Sequence, residues 1–361
     1  MTEKEDLRRQ IDATDEELLA LLNRRQSLAS AIGRIKNQEG SRTLDFRREE
    51  EVVAHLIHLN PGPLSHTGLR NIFREIISSS REIQSPLGVA FLGPEATFSH
   101  LAALKKFGYA SRFGPMATIQ EVFGEVEKGK YHYGVVPIEN STEGVVNATL
   151  DLFAETPLKI CGEIYLEVSH DLVSKSGQKL DIEVIYTHPQ AYGQCRNWLG
   201  THLPEIPVLE VASTGVAAQK AAKNPNSAAI ASAFAAPLYN LRVVEPRIED
   251  HSGNVTHFFV IGPDAPGHTG HDKTAILFAV DNIPGALYKT LRPLADRSLN
   301  MTRIVSRPVK TEAWRYLFYV DLDGHQSEPE VHEALGEIEQ ISAFFKLLGS
   351  FPKAPGVEKL S

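Results

Sequence analysis

The spacing of apolar residues changes twice along the 361-residue chain, and each change predicts a boundary between modules. From about Glu5 to Gln84, apolar residues recur at helical spacing with almost no β-branched alternation. Between Leu87 and about Gly262, short apolar runs alternate with amphipathic stretches, which is typical of a sheet covered by helices. Glycine and proline then crowd the segment 262–270, which predicts a linker.

The pattern after the linker predicts a small α+β module of the regulatory type. In chain order it predicts a strand, a helix, two strands and a long helix, at 274–280, from Pro284, at 299–309, at 314–322 and at 328–348. We therefore expect a multidomain chain with an all-α module at 1–86, an α/β module at 87–263 and an α+β module at 273–350.

Composition and charge narrow the classes of protein. The chain is 42% hydrophobic and carries a net charge of −8, which disfavours nucleic acid and anionic membranes as partners. An anion site would therefore need local cations. The two cysteines, Cys161 and Cys195, form no disulfide framework, and the acidic first residues do not have the pattern of a signal peptide. We expect a soluble cytoplasmic protein.

A metal site and a cysteine nucleophile are both disfavoured. His268, His271 and Asp272 lie in the predicted linker without a fourth ligand, so we expect them to be solvated. Cys195 has no neighbouring base in the sequence and is expected to be a packing residue. We expect neither a metal nor a cofactor.

The first helix carries a cation on its apolar stripe. Apolar residues recur every seven positions along two lines, which are Leu7, Leu21, Leu28 and Ile35, and Ile11, Leu18 and Ile32. Arg25 occupies the second line, where a buried cation is costly unless an anion meets it. A salt-bridged structural arginine is the alternative. Lys36 lies on the flank of the stripe, about 16 Å from Arg25, so the two side chains can close around a small molecule.

Arg8 is too far from Arg25 to serve the same site within one chain. The two residues are 17 positions apart, or about 25 Å along a straight helix. If Arg8 contributes to a site, that site is centred on a second copy of the chain. The pattern therefore predicts an anion site that two chains complete.

The helical module resembles the all-helical chorismate mutases over its whole length. The matching residues are Leu7-Arg8-x-x-Ile11-Asp12-x-x-Asp15, the run ending at Arg25 and Ala29, then Lys36, Arg48-Glu49 and Ser80-x-x-x-Gln84. The resemblance implies three groups of substrate contacts. The two carboxylates would be bound by Arg25, Arg48 and Arg8 of the second chain. The ether oxygen would be bound by Lys36 and Gln84, and the ring hydroxyl by Asp45, Glu49 and Ser80. Because a Claisen rearrangement transfers no proton and Gln84 is neutral, we expect little pH dependence near neutrality.

The central module places polar residues in turns beside its predicted strands. The candidates are Thr97 and Ser99, Asn140 and Ser141, His188, and Ser213 and Thr214. Each group alone is explained by capping of a helix start, but several groups at strand ends indicate a ligand cleft.

Together these segments resemble the prephenate dehydratases over about 175 residues. The closing motif is Thr256-His257-Phe258, where the family usually has Thr-Arg-Phe. The resemblance implies that Thr256 is catalytic and that His257 binds the substrate carboxylate, less strongly than arginine would. It also implies two α/β lobes around a cleft, as in periplasmic binding proteins, with the chain crossing between them twice. We expect His188 to be structural support.

The last module resembles the ACT domains that bind phenylalanine. The resemblance rests on Asn282-Ile283-Pro284-Gly285-Ala286-Leu287-Tyr288 and on Ser306-Arg307-Pro308, and it implies that phenylalanine contacts Gly285, Ala286, Leu287, Ser306, Arg307 and Pro308. Val305 stands where the family has Glu, which we expect to weaken feedback control or to remove a contact between subunits.

The combined resemblance implies a bifunctional enzyme. It would convert chorismate to prephenate and prephenate to phenylpyruvate, with feedback by L-phenylalanine, as a homodimer or higher homo-oligomer. Two alternatives stay open. The same fold could use arogenate in the central cleft, or the cleft could belong to a ligand sensor whose dehydratase site is weakened.

Overall fold

The computed structural model describes residues 2–39, 44–308, 316–354 and 356–358. The chain divides into two compact units, Met1–Leu87 with Lys106–Arg112, and Gly88–Lys105 with Phe113–Ser361. We call them the helical unit and the sheet unit. Since residues 106–112 lie beyond the predicted module 1–86, the helical unit is not one continuous stretch of chain.

The helical unit confirms the predicted all-α module. Its helices are α1 (Glu3–Glu39), α2 (Phe46–Leu59) and α3 (His66–Gln84). Capping side chains fix where two of them begin, because Asp45 accepts a hydrogen bond from the Arg48 N–H at 3.0 Å and Ser65 accepts one from the Gly68 N–H at 3.0 Å. Both caps satisfy N–H groups that the first turn of a helix leaves without an acceptor.

Most of the apolar stripe of α1 is exposed in a single chain. Leu7, Ile11, Leu21, Leu28 and Ile35 are each more than half exposed. An isolated helix gains nothing from such a face, whereas a second apolar surface would bury it. The stripe that the heptad spacing predicts to be packed is therefore largely uncovered within the single chain.

The first lobe of the sheet unit starts the α/β module. Its strands are β1 (Gly88–Leu92), β2 (Arg112–Met116), β3 (Tyr133–Asn140), β4 (Gly144–Val145) and β5 (Lys159–Glu167). Its helices are α4 (Phe98–Phe107), α5 (Ile119–Glu127) and α6 (Asn147–Glu155).

The second lobe comes directly after β5 in the chain. Its strands are β6 (Asp171–Ser174), β7 (Val184–Thr187), β8 (Val208–Glu210), β9 (Ser227–Ala231) and β10 (Arg242–Glu245). Its helices are α7 (Pro189–Gln194), α8 (Arg196–His202), α9 (Thr214–Lys223) and α10 (Ala235–Leu238), with a 3₁₀ turn at Lys179–Asp181. These strands form a sheet in the order β10-β6-β9-β7-β8.

The chain returns to the first lobe through β11 (Val255–Gly262), which inserts between β3 and β5 and runs antiparallel to both. The order of that sheet is β16-β5-β11-β3-β1-β2, with β4 paired to β3, where β16 is the short strand Val357–Glu358. Leaving after β5 and returning at β11 makes two crossings between the lobes. The predicted two-lobed fold is confirmed.

The C-terminal module has one more strand than the sequence pattern predicts. Its elements are β12 (Asp272–Val280), α11 (Ala286–Asp296), β13 (Met301–Pro308), β14 (Tyr316–Asp323), α12 (Pro329–Ile341) and β15 (Phe344–Pro352). The predicted helix 328–348 is wrong after Ile341, because Phe344–Pro352 pairs antiparallel with β12. Adjacent aromatic residues favour a strand there, and the ladder binds its backbone groups. Predicted strand residues 309, 314 and 315 lie outside the described residues.

The C-terminal sheet shares a core with the first lobe. Tyr319, Leu348 and Phe351 pack in the same buried cluster as Phe153 and Phe259. Gly349 allows this approach, because a Cβ at that position would lie 2.6 Å from the Ile160 carbonyl oxygen. The lysine ammonium of Lys159 also donates to the Leu347 carbonyl oxygen at 2.8 Å.

Of the linker residues His268, His271 and Asp272, only Asp272 is less solvated than expected. Asp272 is buried and accepts hydrogen bonds from the Thr269 N–H and hydroxyl, and His268 lies 3.2 Å from the Glu328 carboxylate. The expectation of a solvated residue is therefore wrong for Asp272, whereas His268 and His271 are exposed as expected. Within the described ranges, no helix combines the length and apolarity needed to cross a membrane.

Candidate active sites

The helical unit encloses a cavity of about 430 Å³, which we call the helical cavity. Seven of the eight residues predicted for the first site line it: Arg25, Lys36, Asp45, Arg48, Glu49, Ser80 and Gln84. The eighth, Arg8, does not. The lining also includes Arg81, so the described residues that line the cavity comprise four cations and two carboxylates, with a formal charge of +2. That balance suits a small dianion.

Arg25 is directed into the helical cavity by α3. One of its terminal nitrogens donates to the Ser80 hydroxyl, and Ser80 in turn donates to the Ile76 carbonyl oxygen at 2.8 Å. Burial lowers the pKa of the Arg25 guanidinium, and the nearby charge of Glu49 opposes that shift. A guanidinium nevertheless stays protonated at neutral pH, so Arg25 presents a fixed positive charge.

Glu49 is held by a residue that the sequence pattern did not single out. Nη1 of Arg81 lies 3.3 Å from both carboxylate oxygens of Glu49, and Nη2 donates to the Phe107 carbonyl oxygen. Burial raises the pKa of Glu49, while the charges of Arg81 and Lys106 act in the opposite direction. Arg81 follows buried Ile77 by one helical turn, so a cation on the buried face of α3 was the available signal.

Gln84 reaches the helical cavity where α1 and α3 come close together. A Cβ on Gly33 would lie 2.8 Å from Cγ of Gln84, so glycine is what allows the approach at this point. The amide is thus seated beside the same stretch of α1 that carries Lys36, and both side chains line the cavity.

The sheet unit contains a larger cavity of about 530 Å³, lined by residues from both lobes, which we call the two-lobe cavity. Six predicted residues line it: Thr97, Ser99, Asn140, Ser213, Thr214 and Thr256. Residues that were not predicted also line it, namely Glu143, His170, Gln190, Gln194 and Asn254. His188 lines the cavity too and caps α7 by accepting from the Gln190 N–H at 3.3 Å, in keeping with the expected structural role.

A hydrogen-bond network fixes the Thr256 hydroxyl. Oδ1 of Asn140 accepts from the N–H groups of Thr142 and Glu143, which sets the orientation of the amide. Nδ2 of Asn140 then donates to Asn254 at 2.7 Å and to the Thr256 hydroxyl oxygen at 2.8 Å. Because the hydroxyl accepts from Asn140, it keeps its own proton for another acceptor.

Two helix starts, and no side-chain cation among the described lining residues, supply positive charge to the two-lobe cavity. Among the described residues that line it, none is Lys or Arg. The first turns of α4 and α9 border the cavity, one from each lobe, through Thr97 to Ser99 and through Ser213 and Thr214. N–H groups at a helix start carry partial positive charge and bind carboxylates.

Two predicted residues lie outside the two-lobe cavity. Ser141 accepts from the Val255 N–H at 3.0 Å and holds β11 against β3. His257 is buried on the opposite face of β11 from Thr256, where Nε2 lies 3.1 Å from Glu163 and Nδ1 lies 3.2 Å from Nη1 of Arg303. Alternate residues of a strand point to opposite faces, so the expectation that His257 faces the substrate is corrected.

Comparison with known proteins agrees with the three modules. Three family models match, namely Chorismate mutase type II at residues 7–85, Prephenate dehydratase at 89–266 and ACT domain at 274–340. A curated bifunctional chorismate mutase/prephenate dehydratase from Aquifex aeolicus is 44% identical over 98% of this chain and 99% of its own length. The chain belongs to this bifunctional family. A second member, from Pseudomonas aeruginosa, is 44% identical over 96% of this chain and 97% of its own length.

A solved member of the dehydratase family supports the fold of the sheet unit. The prephenate dehydratase of Arthrobacter aurescens, in complex with L-Phe, is 34% identical and superposes with a TM-score of 0.68. The match covers 74% of this chain and 90% of that one. The residues that line the helical cavity lie in the segment matched by the chorismate mutase model, and Thr256 lies in the segment matched by the prephenate dehydratase model.

The residues predicted to contact phenylalanine lie on two elements of the ACT module, the start of α11 and β13. Gly285 adopts φ +80° and caps α11, so the helix begins at Ala286, two residues after the predicted start, with Leu287 in its first turn. On β13, Ser306 and Pro308 are exposed, whereas Arg307 turns inward and lies 2.9 Å from Asp151 of α6. Val305 packs against the core shared with the first lobe, which accounts for an apolar residue there.

Proposed function

We propose that the helical unit rearranges chorismate to prephenate in the helical cavity. The observation that carries the proposal is that one cavity gathers Arg25, Lys36, Arg48 and Gln84, residues scattered over three helices. Arg25 and Arg48 bind the two carboxylates together with Arg8 of a second chain. Lys36 and Gln84 bind the ether oxygen, and Asp45, Glu49 and Ser80 orient the ring hydroxyl.

The chemistry needs only fixed charges and hydrogen-bond donors. A Claisen rearrangement breaks a C–O bond while a C–C bond forms, and no proton moves. Cations hold the chair-like conformer, and donors stabilise the negative charge that grows on the ether oxygen in the transition state. Such groups act without reorganising when the reaction occurs.

The role of the Gln84 amide as a hydrogen-bond donor can be tested by measuring how the mutase rate depends on pH. We expect the native mutase rate to change little between pH 7 and 8, because the Gln84 amide donates in every protonation state. The Gln84→Glu variant should lose activity as pH rises, since a carboxyl group donates only while protonated. Mutase kcat across pH 5 to 9 measures this. A native rate that collapses between pH 7 and 8, or a Glu variant with a flat profile, would contradict the role of Gln84.

The mutase site is completed by two chains in this proposal. Arg8 is absent from the lining of the helical cavity and lies about 25 Å from Arg25 along a straight helix. The exposed apolar stripe of α1 is a surface that a second α1 would cover. Both features support a homodimer in which each α1 contributes to two sites.

Mixing two inactive variants tests the shared site. Chains with Arg8→Ala and chains with Arg25→Ala should each lack mutase activity, and mixed dimers should regain one intact site. The matched control mixes Arg25→Ala with Lys36→Ala, whose defects lie on the same side of the site, so no recovery is expected. Chorismate consumption is measured after exchange of differently tagged chains. Confirmed exchange without recovery in the first mixture would rule out the shared site.

In the two-lobe cavity, the proposal continues with conversion of prephenate to phenylpyruvate. The Thr256 hydroxyl donates to the departing ring hydroxyl while carbon dioxide leaves, and Asn140 holds Thr256 in place at 2.8 Å. The starts of α4 and α9 bind the substrate carboxylates, with Thr97, Ser99, Ser213 and Thr214 beside them. The chain's own groups supply these interactions, and the chemistry calls for no cofactor.

The ACT module is proposed to bind L-phenylalanine and to inhibit the dehydratase. A relative that is 34% identical was solved in complex with L-Phe, which supports this ligand. Gly285 and Leu287 at the start of α11 offer backbone N–H groups to the ligand carboxylate, and Ala286, whose N–H donates to the Ile283 carbonyl oxygen, lies between them. Ser306 and Pro308 border the same module on the exposed face of β13, and Arg307 anchors that strand.

One assay tests the whole proposal. Purified protein is supplied with chorismate, and chorismate consumption and phenylpyruvate formation are followed with and without L-phenylalanine. Both should occur, and phenylalanine should reduce phenylpyruvate formation. Prephenate that accumulates without phenylpyruvate would exclude the dehydratase. A parallel reaction with arogenate decides the substrate, since faster turnover of arogenate than of prephenate would replace the proposed one.

A further inference from the structure

A network of charged side chains lies on the face of β11 that is turned away from the two-lobe cavity. His257 stacks on Tyr165 with ring centroids 4.2 Å apart, and its Nε2 lies 3.1 Å from Glu163. Lys273 lies 3.0 Å from the same carboxylate. These groups are buried or nearly buried between the first lobe and the C-terminal sheet, and none of them is needed for the proposed chemistry.

Arg303 connects this network to the C-terminal module. It is carried by β13 and its side chain is only 11% exposed. Nη1 lies 3.2 Å from Nδ1 of His257, and Nη2 forms an ion pair with Glu139 at 2.8 Å. The guanidinium also lies over the Tyr319 ring, 5.6 Å from its centroid. A single side chain thus reaches two strands of the first lobe.

The two partners of Arg303 are the neighbours of the catalytic pair. His257 follows Thr256 on β11, and Glu139 precedes Asn140 on β3. The strands are paired so that Thr256 lies opposite Asn140 and His257 lies opposite Glu139. Arg303 therefore binds the two residues next to the Thr256–Asn140 hydrogen bond, on the face of the sheet that is turned away from the two-lobe cavity.

The ladder between β11 and β3 is irregular next to this position, although the ladder between β11 and β5 is continuous there. The register between β11 and β3 shifts between His257 and Phe258, so that one residue of β3 is left out of the ladder. Such a bulge bends the strand and re-aims the side chains beside it. Arg303 adds a support outside the β11–β3 ladder, through His257 on one strand and Glu139 on the other.

Histidine at 257 is chemically matched to Arg303. Burial raises the pKa of Glu163, but the hydrogen bond from His257 and the charge of Lys273 outweigh this and bring it to about 2, so Glu163 is a carboxylate at neutral pH. Burial lowers the pKa of His257. A neutral imidazole that donates from Nε2 to Glu163 leaves Nδ1 as an acceptor for the Arg303 N–H. An arginine at 257 would instead face a second arginine.

We propose that Arg303 is a positioning residue for the dehydratase reaction, which holds Thr256 and Asn140 in their reactive arrangement by binding His257 and Glu139. This rests on the proposed dehydratase function of the two-lobe cavity. Because β13 also carries Ser306 and Arg307, the same contact joins the ACT module to the catalytic pair.

The test uses the full chain and measures dehydratase kcat and KM with added prephenate for Arg303→Met and Arg303→Lys. A misplacement of about 1 Å can cost on the order of 10²-fold in rate, so Arg303→Met should lose about that much kcat with little change in KM. Arg303→Lys keeps the charge but not the two-pronged geometry, so it should recover part of the loss. Arg292→Met, an exposed arginine of α11, is the matched control and should behave like the native chain.

Circular dichroism and thermal unfolding of the same samples report whether each variant is folded, since mutase activity reports only on the helical unit. If Arg303→Met does not fold, Arg303→Lys decides, and a lowered dehydratase kcat in a Lys variant with a native unfolding profile supports the proposal. A Lys variant with native kcat would overturn it, as would a folded Met variant with native kcat or with a loss confined to KM. The double variant Arg303→Met with Glu139→Gln should lose no more than Arg303→Met alone, and additive losses would also overturn it. A native chain that does not turn over prephenate would instead disprove the dehydratase function itself.

Discussion

Replacement of Lys36 by alanine should lower mutase kcat by roughly 10²–10³-fold, the usual cost of one donor aimed at charge that develops in the transition state. Lys36 lines the helical cavity beside Gln84, where the ether oxygen is proposed to lie. Arg25 and Arg48 continue to bind the carboxylates, so KM should change much less than kcat. Steady-state chorismate consumption measures both constants.

Arg34→Ala is the matched control for Lys36→Ala. Arg34 is exposed on the same helix, two residues away, so its loss removes the same charge and keeps α1 intact. Dehydratase activity on added prephenate should be native in both variants, and circular dichroism shows whether the helical unit is folded. If Lys36→Ala retains mutase activity within a few fold of the native chain, Lys36 does not stabilise the transition state.

Replacement of Thr256 by alanine should abolish most dehydratase activity and leave the mutase untouched. The hydroxyl is the proposed donor to the departing ring hydroxyl, and removal of one such donor costs roughly 10²–10³-fold. Supplied with chorismate, the variant should accumulate prephenate at the native rate of chorismate consumption. Product analysis over time distinguishes this outcome from a general loss of folding.

Thr256→Ser and Thr142→Ala are the controls for Thr256→Ala. Serine retains the hydroxyl that accepts from Asn140, so it should recover much of the activity. Thr142 is exposed and does not line the two-lobe cavity, so its alanine variant should be native. Equal losses in the serine and alanine variants of Thr256 would show that the hydroxyl is not what the reaction needs.

The sequence was most informative where one residue broke a regular pattern. Arg25 interrupts a heptad line, and burial of an unpaired charge is costly enough that a nearby anion is a sound inference. The structure places Arg25 in a cavity with Lys36 and Gln84. The ~25 Å between Arg8 and Arg25 is equally firm, because helical rise is fixed by the backbone.

Contacts between elements that are distant in sequence could not be read in the same way. Arg81 meets Glu49 only after α2 and α3 pack, and its other partner, Phe107, is the last residue of α4. The strand Phe344–Pro352 looked like the end of a helix until its pairing with β12 decided otherwise. Tertiary hydrogen bonds and burial override local spacing in such segments.

His257 shows a different limit. Its place in a motif suggested a substrate contact, yet strand alternation alone predicts that Thr256 and His257 face opposite sides. The alternation is the stronger physical rule, and the buried contacts with Glu163 and Arg303 agree with it.

The contact between Arg81 and Phe107 bears on how such fused enzymes can be divided or recombined. A chain cut after residue 87 would keep the seven lining residues predicted from the sequence, yet it would lose the carbonyl that anchors Arg81 and the ring that packs on Phe46. Arg81, which binds Glu49, would then lack the hydrogen bond from its Nη2 to the Phe107 carbonyl oxygen. A helical unit that is transferred to another protein should therefore include residues 106–112, or residues that replace their contacts, in addition to its three helices.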